Sequence, residues 1–199
     1  GCINPYMYNA GDVTTRDFYK ELYEEVKSLQ EQKKYVLEDE KYRLVWAMGV
    51  PPWHQMNIFD YIQSKGGVVI GEVTYMPSKP YDLIPVDTDD PIREDVTRKW
   101  EKTWEDLREA KKYKLTSDAM SVKALIEEVQ PDGMMCHSTK SCRALTVGQL
   151  HQCETLNRNF NLPMLQLEGD MCDSRDFSEA QTFAAIDAFM ESLEARKFG

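Results

Sequence analysis

The chain has 199 residues, about 1.3 times a ~150-residue domain, so it has room for one domain with an additional arm rather than two full domains. Its 34 acidic residues outnumber 24 basic ones for a net charge of −10, which argues against duplex nucleic acid and anionic membrane surfaces, both gripped through Lys and Arg. Hydrophobic residues at 42% and charged residues at 29% provide for a packed core and exclude the composition of a disordered chain.

From the N-terminus, Phe18, Leu22, Val26 and Leu29 recur at spacings of three and four, which predicts an amphipathic helix over Thr14–Gln32 capped by Asp12 or Thr14. Arg43–Val50 is an apolar run halted by Pro51 and Pro52 and reads as a buried strand. A short helix is predicted over Asn57–Ser64, closed by Gly66 and Gly67, and the β-branched run VVIGEVTY after it as a second strand. The Pro- and Asp-rich stretch from Met76 to Pro91 is longer than ordinary connections and reads as an irregular excursion. Helices are expected over Ile92–Lys112 and Ser117–Gln130, the latter capped by Ser117 or Asp118 and striped with Val122, Leu125, Ile126 and Val129.

The run MMCHST reads as a third strand, Ser141–Phe160 as one helix, PMLQLEG as a fourth strand and Ser178–Arg196 as the last helix. Strands alternating with helices imply an α/β fold: a parallel four-stranded sheet with helices on both faces, Rossmann-like or flavodoxin-like, preceded by an N-terminal amphipathic helix. Residues 1–40 are expected to form a helical arm and 41–199 the α/β domain. In such a sheet ligands bind beyond the carboxyl ends of the strands, and the loops PPWHQM, HSTKSCR and EGDMCDSRDFS all fall on that edge. No apolar run reaches the roughly 18 to 20 residues of a bilayer span, and no basic region precedes an apolar stretch at the N-terminus. Cys2, Cys136, Cys142, Cys153 and Cys172 form an odd set without disulfide-scaffold spacing. A soluble, unexported, cytoplasmic protein is the expectation.

Cys136 and Cys142 are too far apart for a zinc knuckle, and Cys136 and Cys153 read as buried small hydrophobes. Cys142 lies beyond a strand end beside Lys140 and Arg143, near a predicted helix start, where charge and dipole favour thiolate; metal ligand and reactive thiol are both open readings. His137 precedes that loop and reads either as a proton donor to an anionic substrate group or as a strand-end cap. His54 follows Pro51, Pro52 and Trp53, either as part of an aromatic wall for a planar ligand or as loop packing. Glu168 and Asp170 leave the fourth strand on the same edge, as ligand anchors or as helix caps. GxxxxGK[ST], GxGxxG, GxSxG and HExxH motifs are absent, so nucleotide phosphate binding and the familiar hydrolase devices have no sequence basis here.

At HSTKSCRALTVGQL and LPMLQLEGDMCDSRDFSEAQTFAAIDAFMESL the sequence resembles the 2-hydroxyacyl-CoA dehydratase and benzoyl-CoA reductase family. PPWHQMNIFDYIQSKGGVVIGE and YMYNAGDVTTRDFYKELYEEV look like earlier parts of the same family's C-terminal half, so the resemblance covers nearly the whole chain. It implies subunits of two similar α/β domains, working in homologous pairs, each with a 4Fe-4S cluster beside an acyl-CoA thioester and fed low-potential electrons by a separate ATP-hydrolysing activator that carries its own 4Fe-4S cluster. The SCR motif implies that Cys142 ligates the cluster, with Ser141 and Arg143 positioning it. The other ligands come, in that pattern, from the family's N-terminal domain, which this chain is expected to lack. His137 is then the candidate proton donor, and Pro52, Trp53 and His54, with Glu168 at the end of the fourth strand, line the acyl-CoA pocket. The EGDMCDSRDFSEAQ stretch leans toward benzoyl-CoA reductase, which reduces an aromatic ring. A ketyl-radical 2-hydroxyacyl-CoA dehydratase is the alternative within the family, and a scaffold module that has lost its cluster, or a thiol redox protein using Cys136 and Cys142, are alternatives of other classes.

Overall fold

The computed structural model describes residues 9, 12–73, 97, 101, 104, 105 and 107–198. The chain divides into two units between residues 40 and 41. The first contains helix α1 (Val13–Glu31), in which Phe18, Val26 and Leu29 of the apolar stripe are exposed. Asp12 sits at its N-cap, but its carboxylate accepts from the Thr14 hydroxyl instead of capping a helix N–H.

The second unit is an α/β sandwich. Its elements in order are β1 (Tyr42–Met48), α2 (Asn57–Ser64), β2 (Gly67–Glu72), α3 (Ser117–Val129), β3 (Gly133–Thr139), α4 (Arg143–Thr146), α5 (Gln149–Phe160), β4 (Met164–Gly169) and α6 (Glu179–Phe198), with residues 107–113 also helical. The sheet order is β2-β1-β3-β4, and every pair is parallel. The continuous apolar runs of β1 and β3 follow from that position, because central parallel strands are covered on both faces. On one face Trp46 and Met135 pack with Ile58 and Ile62 of α2 and Ile186, Phe189 and Leu193 of α6. On the other, Met134 and Cys136 pack with Val122 and Ile126 of α3 and Cys153 and Leu156 of α5. β1 leads to β2 in one direction and to β3 and β4 in the other, with helices on opposite faces, as right-handed crossovers require.

The structure corrects three expectations. β1 ends at Met48 instead of Val50, because Gly49 turns the chain at φ +81°. The single helix expected over Ser141–Phe160 is two: Val147 is extended, Gly148 is left-handed at φ +78°, and α5 starts afresh at Gln149. Helix α3 is capped by Thr116, whose hydroxyl accepts from the Ala119 N–H at 3.3 Å. The excursion over 76–91, most of the helix expected over Ile92–Lys112 and the end of the second predicted strand lie outside the described residues. Among the described residues no helix is long and apolar enough to cross a membrane.

Candidate functional site

The strand order reverses direction between β1 and β3, and the crevice beyond their carboxyl ends is where an open α/β sheet binds ligands. Three loops meet there. The first leaves β1 at Gly49, the second leaves β3 at Lys140, and the third leaves β4 at Asp170. The Trp53 N–H donates to the Met171 carbonyl at 3.0 Å and His54 Nδ1 lies 3.3 Å from the same oxygen, so the first loop is fastened to the third. The Lys140 N–H donates to the Gly169 carbonyl at 2.9 Å, and the Ser141 N–H to Asp170 Oδ2 at 3.0 Å, so the second is fastened to it as well.

Cys142 is a half-buried free thiol at the N-cap of the four-residue α4, its N–H donating to the Thr139 carbonyl at 3.2 Å. Ser141 and Arg143 beside it are exposed. Cys172 is an exposed free thiol on the third loop. Cys136 and Cys153 lie in the apolar layer between β3 and α5, where a hydrogen bond with Cys153, followed by burial, pushes the Cys136 thiol far up. The thiol partner that the fold brings to Cys136 is therefore Cys153.

His137 is 2% exposed, and its Nδ1 lies 2.7 Å from the Val50 carbonyl. A carbonyl only accepts, so Nδ1 carries the proton and the Nε2 lone pair remains. Burial lowers the affinity of His137 for a second proton, reinforced by His54 and opposed by the Val50 carbonyl and the Asp170 carboxylate, so the ring is held neutral. In the first loop Pro52 is buried, Trp53 is 54% exposed, and His54 stands edge-on to Phe177 at 5.9 Å with a buried Nε2 that has no hydrogen-bond partner. Glu168 is exposed, one residue before the end of β4.

Asp170 binds backbone N–H groups of two loops of this edge. Besides Ser141, its Oδ1 accepts the N–H groups of Cys172 at 2.9 Å and Asp173 at 3.0 Å. Hydrogen bonds from the Ser141 hydroxyl foremost, then from the Cys172 and Asp173 amides, hold its carboxyl well below the usual carboxylate range. Gln149 is a residue that sequence reasoning missed. It is 3% exposed, its Nε2 donates to the His137 carbonyl at 3.0 Å, and its Oε1 is buried without a partner. The signal was the Gly148–Gln149 pair, a left-handed glycine before a helix start, disguised by apolar spacing that runs through it. At the opposite edge a cleft of about 220 Å³ is lined by Lys41, Lys65, Asp187, Glu191 and Glu194. There Asp187 is already paired with Lys65 at 2.7 Å and with the Tyr61 hydroxyl.

The family described as 2-hydroxyglutaryl-CoA dehydratase, D-component, matches residues 2–193. Two curated relatives are similar. The alpha subunit of lactoyl-CoA dehydratase from Anaerotignum propionicum is 31% identical over 71 residues, 36% of this chain and 17% of that protein. A benzoyl-CoA reductase subunit from Thauera aromatica is 25% identical over 167 residues, 82% of this chain and 36% of that protein. The chain thus aligns with 17% of the one relative's length and 36% of the other's.

Proposed function

The chain belongs to the 2-hydroxyglutaryl-CoA dehydratase D-component family, and from that premise we propose that it is part of a subunit of an iron-sulfur acyl-CoA enzyme of the benzoyl-CoA reductase type. The observation that carries this reading is the half-buried Cys142 thiol, held on a pinned loop where three loops meet beyond the carboxyl ends of the sheet. The choice of branch rests on the relative named a benzoyl-CoA reductase subunit, which aligns with 82% of this chain. The dehydratase reading is favoured by the higher identity, 31%, to a lactoyl-CoA dehydratase subunit over a shorter stretch.

The donor chemistry fits one ligand of a 4Fe-4S cluster, since thiolate suits iron. Among the described residues no group of three or more His, Cys, Asp or Glu is arranged to hold a metal. In this reading Cys142 supplies one ligand and the rest come from outside those residues, from a further domain or a homologous partner subunit. When bound, such a cluster supplies low-potential one-electron chemistry, delivered from an ATP-hydrolysing activator.

This chain's own residues do the rest. Ser141 and Arg143 flank Cys142 in the chain and, in this reading, position the cluster. Pro52, Trp53 and His54 form a wall on which a planar acyl group lies, with Trp53 supplying exposed aromatic area. The exposed Glu168 carboxylate accepts from amide or hydroxyl donors of an acyl-CoA. His137 has its Nδ1–H committed to Val50, so a proton passes only through Nε2, and the neutral ring takes one up there before returning it. Such an enzyme works in the cytoplasm.

The test is anaerobic reconstitution of the chain together with its partner polypeptide. Iron and acid-labile sulfide should co-purify with it, and Cys142→Ser should lose most of the iron. Iron content unchanged by that substitution removes the ligand assignment, and a colourless complex that still assembles points to a scaffold module. Turnover of benzoyl-CoA to a dienoyl-CoA separates the reductase reading from loss of water from a 2-hydroxyacyl-CoA.

A further inference from the structure

We propose that Asp170 is the positioning residue that sets how the Cys142 thiol is presented. The proposal rests on the reading of that edge as the functional site, and concerns which group builds it.

β3 and β4 run in parallel register to their ends, with Thr139 opposite Gly169, and the Lys140 N–H to Gly169 carbonyl bond carries the ladder one step further. Beyond that step the second loop keeps the Cys142 N–H to Thr139 carbonyl bond within itself and the solvent-screened Lys140–Asp176 ion pair to the third loop. Ser141, Cys142 and Arg143 are exposed or half-buried, and α4 is a single turn, too short to hold its own shape. The buried tie is Asp170. Its Oδ2 takes the Ser141 N–H, in the residue directly before Cys142, while its Oδ1 takes the N–H groups of Cys172 and Asp173. One 5%-exposed carboxylate therefore fixes the second loop against the third. The third is fastened to the first in turn, through the Met171 carbonyl and the Trp53 N–H.

The residue type follows from the count. Three N–H donors and the Ser141 hydroxyl arrive at one side chain, and an ionised carboxylate is acceptor-only at both oxygens. An asparagine has one oxygen, so it keeps the third loop's own turn through Cys172 and Asp173 and turns an NH2 group toward the Ser141 N–H. Asp170→Asn thus releases the Cys142 loop selectively, and Ser141→Pro removes the same bond from the donor side.

The experiment follows thiol alkylation in the metal-free, reduced full chain, with iodoacetamide as the probe and peptide mass spectrometry to read each cysteine separately. The core residue Cys136 is the internal control, protected wherever the fold is intact. The expected result is a change of about threefold or more in the Cys142 rate in both Asp170→Asn and Ser141→Pro, with Cys136 still protected. Cys142 rates within a factor of about 1.5 of the wild type in both folded variants overturn the proposal. Loss of Cys136 protection in both also overturns it, since Asp170 would then support the fold as a whole. Iron loading, which tests the cluster reading, depends on Cys142→Ser, whereas the alkylation rate reports on Asp170 with no cluster bound, so the two can fail separately.

Discussion

His137 shows how a single residue's environment decides its chemistry. Burial favours the neutral ring, so below the ordinary histidine value of about 6.5 the unfolded chain takes up a proton that the folded chain refuses. More protons bound in the unfolded state means that stability rises with pH, so the contribution of His137 is a loss as pH falls from about 7 through 6.5 and below. One proton limits the slope to about 1.4 kcal/mol per pH unit. Urea denaturation at pH 7.5 and 5.5 should show a smaller acid loss in His137→Asn, whose amide N–H replaces the bond to Val50; equal losses would mean that the ring is protonated in the fold. The sequence placed His137 next to the Cys142 loop. It left donor and cap open because the Val50 carbonyl that takes the Nδ1 proton comes from 87 positions earlier in the chain.

At the scale of elements, two glycines in the same backbone region should differ in cost. Gly49 and Gly148 have φ of +81° and +78°. A Cβ on Gly148 would meet nothing within 4 Å, so Gly148→Ala should lose only about 1 kcal/mol for the left-handed backbone. A Cβ on Gly49 would stand 1.9 Å from the His137 carbonyl oxygen, so backbone has to move and Gly49→Ala should cost about 3 kcal/mol or more. Denaturation midpoints of the two variants check the difference, and similar losses would mean that the β1 exit is looser than its packing implies. The same glycines mark where the sequence was hardest to read. Leu145, Gln149 and Cys153 keep helical spacing across Gly148, and a lone glycine inside a helical pattern is tolerated often enough to hide a break. Thr116 was overlooked as a cap because Ser117 and Asp118, also good caps, stand next to it in the sequence.

For the whole molecule, the family assignment and the donor set lead to an expectation about composition. This chain by itself, incubated anaerobically with iron and sulfide, should retain less than one 4Fe-4S cluster per chain after desalting, because Cys142 is its one proposed ligand. A stoichiometric cluster, seen as broad visible absorption and measured iron, would mean that the chain holds a complete ligand set of its own. The proposed acyl-CoA recognition raises the same issue of shared sites. Around the three loops Lys140 is paired with Asp176 at 3.3 Å and Arg175 with Asp173 at 2.5 Å, while Arg143 is exposed. In an acidic chain that supports a CoA site completed by basic residues from another segment or subunit.

By itself the sequence determined the class of fold, because the period of the apolar residues reports which faces are covered: unbroken runs in Leu44–Ala47 and Met134–Cys136 for buried parallel strands, three- and four-residue spacing for the helices against them. It also carried the family, through the order of PPWHQM, SCR and EGDMCD along the chain. Periodicity is silent on contacts between residues far apart in sequence, and those decided the site. Only the tertiary structure brought Asp170 onto the amide before Cys142, Val50 onto His137 and Gln149 beneath the β3 carbonyl, and paired Cys136 with Cys153 in the core. The first two depend on the order β2-β1-β3-β4, which sets β1, β3 and β4 side by side, and the last two on α5 packing against β3.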